Sequence, residues 1–282
     1  MKILTFDIED WFHILDNDET ATQDKWEKFP SRIEKNIDFI LSELDQTDQK
    51  ASFFCLGWVA EKYPEIIKKI SIEGHHIATH SYSHQLAYNQ TKEEFAEDLR
   101  KSIVILEDII GTKIDTYRAP GFSITNKNLW AFELMANLGI KNDCSVFPAN
   151  RAHGGLPNYK IAKPSIIEYG GARLKSLPIN TTKLIFKNIV YSGGGYFRLF
   201  PLFFLKKKFS TDDYVMTYFH PRDFDPDQPV VAGLNRIRRF KSYVGLSSSR
   251  NKLKELLRLY KFINVKNAIE ITDWNSAEVV KL

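Results

Sequence analysis

Cysteine is nearly absent from this 282-residue chain: Cys55 and Cys144 are the only two. Buried thiols are therefore favoured over a disulfide framework, because each cysteine sits in an apolar or motif-like context, and a reducing compartment is expected. No apolar run reaches the roughly eighteen residues that a membrane-spanning helix needs. An export signal is also missing, because "MKILTFDIED" passes from one lysine through a short strand-like run straight into acids. The expectation is a cytoplasmic protein, peripheral at most to the inner membrane face. Charge of one sign is scarce: the formal net charge is only +4, with basic and acidic residues interspersed over most of the chain. That argues against nucleic acid as a partner. Repeats and low-complexity linkers are lacking too.

What remains is ordinary globular composition, 43% hydrophobic and 26% charged, with enough chain to bury a sizeable core. Strand-like runs alternate with helical patterns: 3–6, a helix near 31–44, a strand at 51–57, a helix near 64–73, a strand at 75–79 and a helix from Lys92. Thr91 and Glu94 form a capping-box pattern before Phe95, Leu99, Ile103 and Leu106, and Gly111 stops that helix. A strand at 116–117, a helix near 126–137 and strands at 141–145 and 214–219 follow; the tail from Asn251 reads as a helix and a short strand. This order implies parallel βαβ units in an α/β protein. A single domain over 1–282 is expected, with a hairpin-rich insertion around 148–201 where glycine and proline punctuate short strands. Within it, "SGGGYF" reads as a structural hairpin, since no P-loop lysine and no following helix support a phosphate cradle.

In such folds the chemistry collects just beyond the carboxyl ends of the strands. Asp7, Glu9 and Asp10 follow the first strand, His80 and His84 the third, Arg118 the next, then Asp143 and finally His220. Two neutral imidazoles and a carboxylate make a ligand set for Zn²⁺ or another divalent first-row ion such as Co²⁺, Ni²⁺ or Mn²⁺. A second carboxylate beside Arg118 could take a proton from water, and His220 could protonate a leaving group. These parts describe hydrolysis of an amide or ester. Taken alone, Asp7 reads as a turn residue and Arg118 as a surface ion pair. His13, His75, His76 and His153 read as structural, although His13 lies near the first motif.

The segments "TFDIEDWF", "HSYSH", "RAPGFS", "NDCSVFP" and "YFHPRDFDP" resemble, in order, the motifs of the polysaccharide deacetylases, carbohydrate esterase family 4. "ASFFCLGWVAEKYPE", "SGGGYFRLFP" and "RFKSYVGL" further resemble the subgroup of bacterial exopolysaccharide and surface-glycan synthesis. The resemblance implies a distorted (β/α) barrel, a divalent metal and removal of acetyl from an N-acetylated sugar, carried by a nucleotide, a lipid or a polymer. By position it makes Asp7 the base, His80 and His84 metal ligands, and Arg118 the residue that orients the base. Gly121 would supply the oxyanion N–H, His220 the acid and Asp143 the carboxylate that orients it. Phe122, beside Gly121, would shape the acetyl or sugar subsite.

The metal carboxylate is open between Glu9, which shares a strand face with Asp7, and Asp10, which qualifies only if the chain turns after Ile8. A sugar-binding scaffold without turnover and a metal-independent amidohydrolase are the alternative functions. The apolar patch Tyr196–Lys208, closed by Lys206, Lys207 and Lys208, reads either as a core element with a solvated basic end or as a weak contact with a membrane surface.

Overall fold

The computed structural model describes residues 1–151, 153–184 and 187–282, leaving aside the side chains of residues 183, 184, 187 and 188. Residues 152, 185 and 186 of the expected 148–201 insertion lie outside the described residues. The strands are β1 (Lys2–Ile3), β2 (Thr5–Ile8), β3 (Ser52–Cys55), β4 (His76–Thr79), β5 (Thr116–Tyr117), β6 (Asn142–Asp143), β7 (Ser165–Tyr169), β8 (Ala172–Ser176), β9 (Thr182–Leu184), β10 (Lys187–Ile189), β11 (Val215–Met216) and β12 (Glu278–Lys281). The helices are α1 (Gln23–Trp26), α2 (Ile33–Gln46), α3 (Gly57–Lys62), α4 (Pro64–Ile72), α5 (Lys92–Ile110), α6 (Trp130–Asn137), α7 (Gly194–Leu199), α8 (Leu202–Thr211), α9 (Arg236–Tyr243), α10 (Leu246–Leu259) and α11 (Val265–Ile271).

One sheet runs in the order β12-β7-β8-β6-β5-β4-β3-β2, and every pair in it is parallel except β7 with β8. Beyond β2 the ladder continues onto the segment around β11: Asp7 N–H reaches the Phe219 carbonyl at 2.7 Å and Phe219 N–H the Thr5 carbonyl at 3.1 Å. Tyr218 in turn bridges Gly193. Between Ser192 and Asn180 the ring is completed by a side-chain hydrogen bond of 3.1 Å instead of a ladder. The strands thus form a distorted (β/α) barrel.

Local sequence explains the elements that frame it. Along α2, Ile33, Ile37, Ile40, Leu41 and Leu44 recur at helical spacing and all are buried. The α5 capping box is made, with Thr91 Oγ1 accepting from Glu94 N–H and Glu94 returning the bond, and Gly111 ends the helix at φ 69°. On β2 the period of two sends Phe6 against Phe53, Phe219 and Phe224, and Thr5 and Asp7 to the opposite face.

Three helices depart from the expected pattern. Gly57 opens α3 instead of ending a strand, α11 stands where a short strand was expected, and α7 starts inside "SGGGYF". The last overturns the hairpin reading of that motif. Gly193 is required there for proximity: a Cβ would lie 2.3 Å from the Tyr218 carbonyl oxygen. We expect Gly193→Ala to destabilise the protein by about 1–3 kcal/mol, as overpacked sites do, read as a lower urea midpoint at unchanged slope.

Candidate active site

Four strand ends and the HSYSH loop converge at one end of the barrel. Arg118, with no exposed surface, follows β5 and turns back between the strands. Its Nη1 donates to Asp7 Oδ1 at 2.6 Å and to Thr5 Oγ1 at 2.8 Å, while Nε reaches the Cys144 carbonyl at 3.3 Å. The guanidinium also lies 3.9 Å from the centre of the Phe54 ring. A buried guanidinium is tolerable only when its donors are met, and here they are met largely by β2 and by the chain just after β6.

Glu9 lies just past β2 on the same side as Asp7. Its Oε1 is 3.0 Å from His80 Nε2 and 2.9 Å from His84 Nε2. His80 Nδ1 is 2.7 Å from the Arg118 carbonyl, which can only accept, so Nδ1 carries a proton. In the neutral ring that leaves a bare Nε2 facing a bare carboxylate oxygen. A cation between them relieves that conflict, and the three donor atoms lie within 4.8 Å of one another. The set therefore fits a divalent metal of the zinc type. Burial pushes the Glu9 carboxyl up, but the surrounding imidazoles outweigh it and hold the group well below the usual carboxylate range.

The backbone that aims the histidines is strained: Ser81 and His84 stand at φ 68° and 55°. Asp98 on α5 holds it in place. Its carboxylate accepts from Tyr82 N–H at 2.8 Å, from Ser83 N–H at 2.9 Å and from the Ser83 hydroxyl. Nothing in the motif pattern pointed to Asp98; the signal available was an acid one helical turn past Phe95, on the helix that follows the loop.

His220 Nε2 is 3.9 Å from Asp7 Oδ2 and 4.0 Å from Glu9 Oε1. On its other side, Nδ1 is 3.0 Å from Asp223 Oδ2, which also accepts from His220 N–H at 2.9 Å. Burial lowers the imidazole pKa, but Glu9, Asp223 and Asp7 raise it to a net value of about 9. Asp223 is in turn anchored by Arg198 Nε at 3.0 Å.

Three expectations are corrected by this geometry. Asp143 does not orient His220: its carboxylate accepts from Ser145 N–H at 3.0 Å and Ser176 Oγ at 3.1 Å, and burial pushes its pKa up to about 6. Asp223 takes that place, because residues 221–224 form a single 3₁₀ turn that folds it back onto His220. Asp10 is not at the cluster either; it accepts from Ser31 Oγ at 2.5 Å, Trp11 N–H at 2.8 Å and Arg32 N–H at 3.1 Å, and so braces the start of α2. Phe122 is enclosed between the Phe147 and Tyr218 rings, 5.5 and 5.2 Å away, so it walls the site without opening to a ligand. Gly121 beside it has φ 61°, and a Cβ there would meet Leu15 and Leu86 at 2.9 Å.

Known proteins share parts of this sequence. Residues 17–142 match the polysaccharide deacetylase family, and residues 144–270 match a domain of unknown function, DUF3473. The first half of the chain is thus similar to the polysaccharide deacetylases. It is 39% identical over 95 residues to a peptidoglycan-N-acetylglucosamine deacetylase of Bacillus cereus, a stretch that covers 33% of this chain and 34% of that protein. It is 27% identical over 81 residues to chitin deacetylase 1 of Cryptococcus neoformans var. grubii, covering 29% of this chain and 17% of that one. The chain thus spans about a third or less of the length of these relatives. A solved structure from Mycobacterium smegmatis, assigned to the polysaccharide deacetylases, superposes with a TM-score of 0.63 at 16% identity, covering 95% of this chain and 88% of that one. At that identity it supports the fold alone.

Within this fold the carboxylate assignments are separable by experiment. Glu9→Gln should lose bound metal as completely as His80→Ala, whereas Asp10→Asn should keep it. Asp98→Ala should weaken metal binding by roughly 10–100-fold, the usual cost of losing an outer support of a metal ligand. Metal content after dialysis against a competing chelator measures all four. Full retention by Glu9→Gln would remove it from the ligand set.

Proposed function

We propose that this site hydrolyses the N-acetyl group of an amino sugar, releasing acetate and a free amine. The observation that carries the reading is the pairing of Asp7 and His220, 3.9 Å apart, beside the Glu9, His80 and His84 cluster. When bound there, a divalent ion, with Zn²⁺ the first choice, would polarise the acetyl carbonyl and lower the pKa of an attacking water.

The remaining work falls to this chain's own residues. Arg118 occupies Asp7 Oδ1 and leaves Oδ2 on the side of His220, so Oδ2 is the atom that takes a proton from the water as its oxygen bonds to the carbonyl carbon. The resulting tetrahedral centre carries an oxyanion, for which the resemblance assigns the Gly121 N–H as donor. His220 Nε2–H then gives its proton to the departing nitrogen as the C–N bond breaks. Asp223, on Nδ1, fixes the ring so that Nε2 points at that nitrogen. The step starts from an Asp7 carboxylate and a protonated His220, and the acids around His220 favour its protonated form.

The relatives named above are a peptidoglycan-N-acetylglucosamine deacetylase and a chitin deacetylase, which supports an N-acetylhexosamine as the substrate class. The carrier of that sugar, whether nucleotide, lipid or polymer, is the finer part of the proposal.

Purified, metal-loaded protein should release acetate from N-acetylated oligosaccharides or from nucleotide- or lipid-linked N-acetylhexosamines, and a chelator should stop it. Asp7→Asn should retain metal and lose roughly 10²–10⁴-fold in turnover, the usual worth of a positioned base. Activity should fall at alkaline pH as His220 loses its proton. Asp223→Asn removes two of the influences that raise that pKa, so the alkaline limb should move to lower pH. Absence of acetate from every substrate with metal bound would return the site to a sugar-binding role.

A further inference from the structure

Residues 228–254 contain no aspartate or glutamate but seven lysines and arginines. Four of these have structural work. Arg238 donates to the Leu15 and Asp16 carbonyls, Arg250 to the Phe224 carbonyl at 2.6 Å, Lys252 to the Arg198 and Phe200 carbonyls at 2.5 and 2.8 Å, and Lys254 pairs with Glu43 at 2.9 Å. The other three, Arg236, Arg239 and Lys241, are exposed on α9 and have no acidic partner among the described residues.

Helix α9 has no buried residue at all. Ile237 and Phe240, three positions apart on one face, are 68% and 59% exposed. The helix is not loose, for Arg198 on α7 donates to the Ser242, Val244 and Lys241 carbonyls at 2.8, 3.1 and 3.0 Å. That clamp sets α9 beside α7, where Tyr196 and Leu199 are 48% and 49% exposed, and Phe203 at the start of α8, which follows α7 directly, is 75% exposed. Two adjoining segments therefore present apolar side chains together with unpaired cations.

The three lysines that close the apolar run of α8 carry less of this charge than the sequence suggested. Lys206 is paired with Glu255 at 2.8 Å and Lys208 with Asp212 at 2.9 Å, so only Lys207 is left to face a partner. The free positive charge lies on α9.

We propose that α7, the start of α8 and α9 form a docking surface for an anionic lipid membrane. Apolar side chains flanked by unpaired lysine and arginine suit the boundary between acyl chains and acidic headgroups, whereas a soluble polyanion would leave Ile237, Phe240 and Phe203 in water. The surface also adjoins the site. Arg238 ties α9 to Leu15 and Asp16, Asp16 pairs with His153 at 2.7 Å, and Leu15 and His153 both crowd Gly121. Docking would hold the Gly121 end of the site beside the bilayer, which deepens the deacetylase reading by favouring a lipid-linked sugar as substrate; the membrane contact itself does not depend on turnover.

The test is co-sedimentation of the full chain with vesicles of phosphatidylcholine alone and of equal parts phosphatidylcholine and phosphatidylglycerol. Wild-type protein should pellet with the anionic vesicles at low salt, detach as salt rises, and stay in solution with phosphatidylcholine. Each lysine or arginine near an acidic surface strengthens binding about fivefold, so Arg236→Glu with Arg239→Glu should weaken it by at least roughly 25-fold. Ile237→Ser with Phe240→Ser should weaken it as well, and Phe203→Ser on α8 checks the surface independently of α9. All variants should keep the wild-type melting temperature and acetate release from a soluble N-acetylated oligosaccharide, so that loss of docking is read apart from loss of the active site. Failure of the wild type to pellet, equal pelleting with both vesicle types, or wild-type pelleting by all of the variants would overturn the proposal.

Discussion

The buried guanidinium of Arg118 is the constraint around which the rest of the site is arranged. A charge with no exposed surface costs several kcal/mol unless its donors are met, and Arg118 meets them with Asp7 and Thr5 on β2 and with the carbonyl that follows β6. Strands far apart in sequence must therefore converge on one residue. The backbone of Arg118 works in parallel: its N–H donates to the Thr79 carbonyl at 3.1 Å and its own carbonyl accepts from His80. One residue thus fixes the carboxylate on one side and the orientation of a metal-type histidine on the other.

The two acids of the first motif show how little separates a reacting group from a ligand. Asp7 and Glu9 share a side of the chain, yet Asp7 is half-occupied by a cation of the protein itself, while Glu9 faces two imidazole nitrogens. Each acid receives a different partner, and the partner decides the chemistry open to it. Asp10 has the same formal charge and lies one residue further on, but backbone N–H groups at the start of α2 consume it. Charge and proximity in sequence are thus insufficient to define a site; the free lone pairs are what count.

The parts of this arrangement that were legible in the sequence are those governed by local periodicity. The alternation along β2 favours Glu9 over Asp10 once the strand is seen to remain extended through Ile8. The cap of α5 follows from Thr91, Glu94 and Gly111 alone. Illegible parts depend on turns and on distant packing. Asp143 and Asp223 both follow a strand near a motif, and only the 3₁₀ turn at 221–224 decides which of them meets His220. Helix α7 was hidden because glycines that weaken a helix were needed for the approach to Tyr218. Asp98 was silent because two of its three donors are the backbone N–H groups of Tyr82 and Ser83, which carry no sequence signature.

The distribution of the site over the chain adds a last constraint. The segment that matches the polysaccharide deacetylase family, 17–142, contains His80, His84, Asp98 and Arg118. Asp7 and Glu9 precede it, and His220 and Asp223 lie in the segment 144–270 that matches a domain of unknown function. Neither matched segment holds an acid–base pair and a full ligand set by itself. The sheet unites them, because β2 pairs with β3 on one side and, through Asp7 and Phe219, with the strand that ends in His220 on the other. The same second segment contributes Arg198, which holds Asp223 against His220 with one nitrogen and α9 with the others. In this way the second segment contributes part of the proposed site and, through the same arginine, holds α9 in place.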